Sequence, residues 1–311
     1  MGTYAVTGSA SGMGAASAAR LREAGHRVVG VDLRDADVTA DLGTSGGRHH
    51  AADEILRLCG GALDGVAAVA GVGPNLPDAA AVASINYFGP VALLDALRPA
   101  LEREGGGRAV VIGSNSATTV PMIDDHLVGL LLAGDEEAAR AHAAGAQRSL
   151  PAALAATSPS ISAYATSKFA LARWVRRTAV TPEWARRGIT LNTIAPGAVV
   201  TPLMTGSTLS EDDLDPDTFP TPMPRGFFGR PADIAFWVAQ FLSPEAGFTT
   251  GATLTVDGGT GDGPPRRGLR GRRRLRPPAH PGPAPLPGTR GAHRPRLRRT
   301  GLTPARPSGP P

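Results

Sequence analysis

Short apolar runs rich in β-branched residues alternate with longer helical patterns from the first residues of this chain to Val256, and that alternation restricts the folds open to it. The runs fall at residues 3–7, 27–31, 63–70, 108–113, 189–194 and 253–256, with a shorter one near 38–41. Helical spacing of apolar residues fills the intervals at 13–24, 51–59, 78–104, 162–185 and 232–242. Strands separated by helices predict an α/β domain built on a parallel sheet of about seven strands, with helices on both faces. The runs are apolar at successive positions rather than at every second one, so both faces of the sheet are expected to be buried. A chain of 311 residues, 41% hydrophobic, has the material for one such core, and the alternation places it in residues 1–261.

Two segments break the alternation. Between Ser114 and Tyr164, an apolar stretch at 124–133 is stopped by Gly134, and Asp135 is placed to cap a second helix ending at Gly145. A helical hairpin inserted at about 118–160 is the expectation. Beyond Gly261 the composition changes: residues 262–311 carry 13 Arg and one acid, and contain no Val, Ile, Phe, Met, Trp or Tyr. Such a segment buries too little surface to fold and reads as a disordered Arg/Pro-rich tail. It also accounts for the net charge of +5, since the tail contributes +12 and residues 1–261 contribute −7.

Other classes lose ground quickly. Cys59 is the single cysteine, which excludes an internal disulfide, and the histidines, even at His49-His50, lack paired ligand spacing, so no metal is expected. The amino terminus shows neither a signal-peptide nor a transit-peptide pattern, and no uninterrupted apolar run reaches membrane-spanning length. A cytoplasmic protein without a membrane anchor is the resulting expectation.

The first strand run leads directly into Thr7-Gly8-Ser9-Ala10-Ser11-Gly12-Met13-Gly14, where a helix begins. Glycines let the backbone approach a pyrophosphate, and the free amides and positive end of the helix attract the anion. Gly8, Gly12 and Gly14, with Ser11 and Met13 between them, are therefore candidate cofactor contacts. Asp32 ends the second run, 18 residues beyond Gly14, where an acid accepts hydrogen bonds from an adenosine ribose. Its charge repels a 2′-phosphate and favours NAD over NADP, although Arg34 stands close enough to weaken that inference.

Against 31 arginines the chain has one lysine, Lys168, four residues after Tyr164. On a helix, i and i+4 share a face, so phenol and ammonium project into the same space. Lowering a tyrosine pKa from about 10 to about 7 needs roughly 4 kcal/mol, and a unit charge about 4 Å away at an effective dielectric near 20 supplies an amount of that order. With help from an oxidised nicotinamide ring, the phenol is expected to serve as a general acid or base at neutral pH. Ser114 closes the run at 108–113, on the carboxyl edge where open α/β sheets bind ligands, and can hold a substrate oxygen; Ser116 competes for that role. Asn86 sits inside a long helical pattern, where asparagine is unfavourable.

Together these residues resemble the short-chain dehydrogenase/reductases over nearly all of residues 1–261, which implies a Rossmann-type fold. The family's glycine motif matches Gly8, Gly12 and Gly14, and its catalytic tetrad matches Asn86, Ser114, Tyr164 and Lys168. Pro196-Gly197, followed by Val199 and Thr201, matches the stretch that contacts the nicotinamide amide. Ala70-Gly71 matches only half of an Asn-Asn-Ala-Gly motif, because Ala68 and Val69 replace the asparagines. Within the family, the chain is similar to the bacterial 3α-hydroxysteroid dehydrogenase/carbonyl reductase group and to coniferyl-alcohol dehydrogenases. That similarity implies that Asp41 and Leu42 frame the adenine. It also implies that the insertion, which helps put 49 residues between Ser114 and Tyr164, covers one helix-to-helix interface, leaving a homodimer through 232–242 and the last strand.

The expectation is thus NAD-dependent hydride transfer interconverting a hydroxyl and a carbonyl on an apolar small molecule: a hydroxysteroid, an aryl alcohol or a xenobiotic carbonyl. The resemblance implies that Tyr164 exchanges the proton, Ser114 orients the oxygen, Lys168 lowers the phenol pKa and binds ribose, and Asn86 carries a water to Lys168. Residues 203–229, with Met204, Met223, Phe227 and Phe228, are expected to form the substrate lid. Two rivals stand beside this reading. The basic tail suggests binding of nucleic acid or an anionic surface, but it lacks aromatic residues for base stacking, and a GC-rich gene read out of frame gives the same composition. A non-catalytic dinucleotide sensor is the other, against which the intact tetrad argues.

Overall fold

A computed structural model describes residues 1–120, 122–148, 158–206, 213–217, 219 and 221–260. The tail expected at 262–311 lies outside the described residues, as do parts of the insertion and of the lid. Seven parallel strands form one sheet in the order β3-β2-β1-β4-β5-β6-β7. They are β1 (Thr3–Thr7), β2 (Arg27–Asp32), β3 (Val38–Thr39), β4 (Gly65–Ala68), β5 (Arg108–Ile112), β6 (Thr190–Pro196) and β7 (Thr253–Val256). The helices are α1 (Gly12–Glu23), α2 (Ser45–Cys59), α3 (Ala79–Ala83), α4 (Gly89–Leu101), α5 (Ser116–Thr119), α6 (Asp125–Ala133), α7 (Glu136–Arg148), α8 (Ser158–Thr178), α9 (Pro202–Thr205) and α10 (Pro231–Leu242).

Successive strand residues face opposite sides, and both sides are covered. Val6, Ala67, Val110 and Ile194 pack against Leu21 of α1 and Ile234 and Val238 of α10. Ala5, Val66, Val111 and Leu191 point the other way, into a core with Ile55 of α2, Leu93 and Leu97 of α4, and Leu171 and Val175 of α8. The chain reverses its winding between β1 and β4, and ligands of such sheets bind beyond the strand ends at this point.

The pattern at 78–104 is not one α-helix. Between α3 and α4 the residues Ser84–Phe88 form a π-helical turn, and Asn86 lies in its middle. Ala79–Leu101 is long enough and, in its most apolar 18-residue window with a mean hydropathy of 1.4, apolar enough to cross a membrane, although Asp95 and Arg98 interrupt the apolar run. Its 67% burial within the protein marks it as a core helix.

In the insertion, Asp124 caps α6 by accepting from Leu127 N at 3.0 Å, and Asp135 caps α7 by accepting from Ala138 N at 2.9 Å. Gly134, with φ of 79°, turns the chain between them. α7 runs past Gly145 to Arg148, because the alanines around that glycine sustain the helix. The hairpin packs on α3, the π turn and α8. A polar network fastens it there: Arg48, 5% exposed, holds Glu136 through two nitrogens at 3.2 and 2.5 Å, and Ser84 Oγ donates to Glu136 at 2.7 Å.

Candidate active site

The turn between β1 and α1 is built so that only glycines fit. Gly8 and Gly12 have φ of 69° and 53°, in the left-handed region. A Cβ on Gly14 would stand 2.0 Å from the Gly8 carbonyl oxygen, which fixes the closeness of helix and turn. Ser11 occupies the N-cap of α1 without bonding a helix amide through its side chain, so the first-turn amides keep their capacity for an anion. Asp32 ties the turn to the end of β2: one carboxylate oxygen accepts from Ala10 N at 2.9 Å, the other from Leu33 N at 2.7 Å.

Gly8, Ser11, Gly12, Met13, Gly14, Asp32, Asp41, Leu42, Ala70, Gly71 and Thr201 all line one cleft at the switch point. Asp41 holds its own turn by accepting from Gly43 N at 2.9 Å, and Arg48 donates to the Leu42 carbonyl at 3.3 Å, stiffening this end of the cleft. The lining does not include Tyr164 or Lys168, which are also expected to touch the cofactor, nor Pro196, Gly197 or Val199. Val199 is buried, pairing with Gly229 as an isolated bridge, and Gly197 packs so closely on Asp257 that a Cβ would lie 2.6 Å from the Asp257 Cβ. These three support the segment that presents Thr201. The glycine cradle, the uncapped helix start and the acid beyond β2 together fit a dinucleotide.

Where Ala68 and Val69 replace the asparagines, a threonine of β1 braces the chain. Thr7 Oγ1 accepts from Val69 N at 3.0 Å and from Ala70 N at 2.9 Å, bracing the end of β4 against β1. Asn86, fully buried, clamps the next residue: it accepts from Val72 N and donates to the Val72 carbonyl, both at 2.9 Å. Its amide is therefore first a bracket for the cleft wall, and only the remaining lone pair on Oδ1 is open to the expected water. Gly71 joins cleft and catalytic group, since a Cβ there would meet Asn86 Oδ1 at 2.9 Å and Lys168 Nζ at 3.4 Å.

Tyr164 and Lys168 lie one turn apart on α8, with Nζ 6.0 Å from the centre of the phenol ring. Lys168 is 4% exposed and donates to the Ile112 carbonyl at 2.8 Å. Burial pushes its ammonium down to about 8. The phenol departs from the sequence expectation: burial raises the Tyr164 pKa, and the opposing pull comes from a hydrogen bond with Ser114 rather than from the lysine. The physical reason is that desolvation penalises the charged forms of both groups, while the ammonium is engaged with a backbone carbonyl. The protein alone does not make this tyrosine acidic.

Sequence reasoning missed Thr7, because a strand-end threonine has no pattern of its own, and missed Val72 and Ile85 on the cleft wall, where Leu203, expected in the lid, also stands. Leu203 stands against Gly73 at the cleft mouth, where a Cβ on the glycine would lie 3.3 Å from Leu203 Cγ. Of the lid aromatics, Phe228 is buried and meets Phe219 edge to face at 5.2 Å.

A glycine cradle at the switch point of a parallel sheet, joined through Gly71 to Asn86 and to Lys168, which shares α8 with Tyr164, defines a nucleotide-binding oxidoreductase. A family model described as enoyl-(acyl carrier protein) reductase matches residues 149–261. The chain is 37% identical to the 3-alpha-hydroxysteroid dehydrogenase/carbonyl reductase of Comamonas testosteroni over 262 residues, covering 83% of this chain and 96% of that one. The crystal structure of the 3-alpha-hydroxysteroid dehydrogenase from Pseudomonas sp. B-0831 complexed with NADH superposes with a TM-score of 0.70 at 40% identity, covering 83% and 96% of the two chains. A short-chain dehydrogenase from Burkholderia cenocepacia J2315 in complex with NADP matches with a TM-score of 0.62 at 26% identity, covering 83% and 96%. The chain belongs to the short-chain dehydrogenase/reductase family.

Proposed function

We propose that this protein is an NAD-dependent alcohol dehydrogenase/carbonyl reductase acting on an apolar substrate of hydroxysteroid or aryl-alcohol type. The observation that carries the reading is the junction at Gly71, where the dinucleotide-shaped cleft meets Asn86 and Lys168, with Tyr164 one helical turn from the lysine. Gly8, Gly12, Gly14 and the start of α1 hold the pyrophosphate, Asp32 the adenosine ribose, Asp41 and Leu42 the adenine, and Thr201 the nicotinamide end. Bound NAD supplies the hydride acceptor for oxidation and, reduced, the hydride donor for reduction.

The remaining chemistry belongs to the side chains. Ser114 holds the substrate oxygen in place. Tyr164 takes the hydroxyl proton in oxidation and returns it in reduction. Lys168 places a positive charge beside the phenol and binds ribose, and Asn86 keeps residues 71–72 in register while offering Oδ1 to a water. Because burial raises the phenol pKa, oxidation gains rate as pH rises. Asp32 supports NAD over NADP through charge repulsion, and the NADH complex of the relative at 40% identity agrees with it. Phe236 and Trp237, 40% and 37% exposed on α10, support dimerisation through that helix and β7.

The test is a spectrophotometric screen for NADH formation with 3-hydroxysteroids and benzylic alcohols, run in parallel with NADP. Turnover with NAD on at least one of the two classes is expected. Activity on neither class, or with NADP alone, contradicts the proposal.

A further inference from the structure

One carboxylate of the insertion is tied to both walls of the cofactor cleft at the same end. Glu136 opens α7 and accepts from Arg48 of α2 on its two oxygens, at 3.2 and 2.5 Å, and from Ser84 Oγ at 2.7 Å. Arg48 Nη1 also donates to the Leu42 carbonyl at 3.3 Å, and Ser84 immediately precedes Ile85 in the π turn. Leu42, Gly43 and Ile85 all line the cleft, and they lie against one another: a Cβ on Gly43 would stand 2.9 Å from Ile85 Cγ1. The directions of these bonds follow from the groups themselves. A guanidinium only donates, so Arg48 gives to Glu136 and to Leu42, while Arg140 Nη1 gives to Ser84 Oγ at 2.7 Å and leaves the Ser84 hydrogen for the carboxylate. We propose that Glu136 is a positioning residue for the cofactor, holding the Leu42 and Gly43 wall and the Ile85 wall at the separation that accepts the adenine.

Burial gives the arrangement its stiffness. Arg48 and Ser84 are both buried, so a link broken there leaves a polar group that water reaches only through rearrangement of the walls. Other bonds at this end act more locally. Asp41 braces its own turn through Gly43 N, and Asn86 ties the π turn to Val72 rather than to Leu42. Among the described hydrogen bonds, those of Glu136 are the ones that connect the Leu42 turn, through Arg48, to the π turn. A cleft already held in its binding shape loses no affinity to the ordering of its walls. The insertion thus serves the cofactor site as well as the packing of α3 and α8.

The inference rests on the proposed placement of the adenine at Asp41 and Leu42. ADP-ribose, which carries the adenine half of the dinucleotide and no nicotinamide, is the probe, titrated by calorimetry beside NADH. Arg48→Met with Glu136→Leu removes both links together with both charges. Its urea stability should approach that of the wild type, while ADP-ribose and NADH bind about tenfold more weakly. A pair with a merely structural role would return affinity together with stability. Ser84→Ala keeps the Arg48 and Glu136 pair and cuts only the Ile85 side, so it should weaken ADP-ribose binding by about threefold. Unchanged ADP-ribose affinity in either variant overturns the inference. If the wild type binds neither ADP-ribose nor NADH, the proposed function fails, and amide hydrogen exchange at residues 40–43 and 84–88 of the free protein decides the inference separately. Faster exchange in the variants then supports it, and unchanged exchange overturns it.

Discussion

Burial of the Lys168 ammonium should weaken the fold at neutral pH. A base whose folded pKa lies below its unfolded value weakens the fold wherever it must be charged, so the penalty is complete below the folded pKa of about 8 and fades as pH climbs toward 10.5, the ordinary lysine value. Two and a half pH units correspond to about 3 kcal/mol at pH 7, about 2 at pH 9 and about 1 or less at pH 10. Lys168→Met removes the titration. It also removes the bond to the Ile112 carbonyl, a loss of about 1 kcal/mol that does not vary with pH. At pH 7 the variant should therefore be about 2 kcal/mol more stable than the wild type, and by pH 10 the two should be nearly equal. Urea unfolding followed by circular dichroism at pH 7, 9 and 10 reads this directly. A stability difference that stays flat across those pH values, or favours the wild type at pH 7, refutes a desolvated ammonium at this position.

Other changes test the cleft and the insertion. Gly14→Ala puts a Cβ 2.0 Å from the Gly8 carbonyl oxygen, so it should destabilise the fold by more than about 3 kcal/mol and abolish the fluorescence change on adding NADH. Glu136→Ala leaves the Arg48 guanidinium buried without its carboxylate and should cost about 3 kcal/mol in urea unfolding; Arg48→Met with Glu136→Leu, which removes both charges, should recover most of it. A double variant no better than Glu136→Ala would show that the pair matters for something other than compensated charge.

The parts of the molecule legible in the sequence are those with local signatures. β1, the glycine turn and α1 follow one another within 23 residues, and their hydrophobic period, glycines and length place them without help from the rest of the chain. The capping acids Asp124 and Asp135 and the stop at Gly134 announce the hairpin in the same way. The π turn at Ser84–Phe88 left no trace, because a shift from i+4 to i+5 bonding changes neither the residue types nor the apolar run around it. Contacts across long separations were equally silent: Arg48 and Glu136 lie 88 residues apart, and Thr7 braces a strand end 62 residues away. That Tyr164 and Lys168 meet is legible in the sequence, but the balance between them is not. Spacing shows that two groups meet, whereas the balance depends on burial and on the Ile112 carbonyl, neither of which the helix pattern carries.

In the proposed reaction Tyr164 moves the proton while the dinucleotide is held in the neighbouring cleft. Tyr164→Phe removes one oxygen from a side chain absent from the lining of the cofactor cleft. The decisive measurement pairs NADH binding, by fluorescence, with alcohol turnover in this variant. Binding within about twofold of the wild type and turnover reduced by at least about a thousandfold is the predicted result. Turnover retained within tenfold contradicts the account.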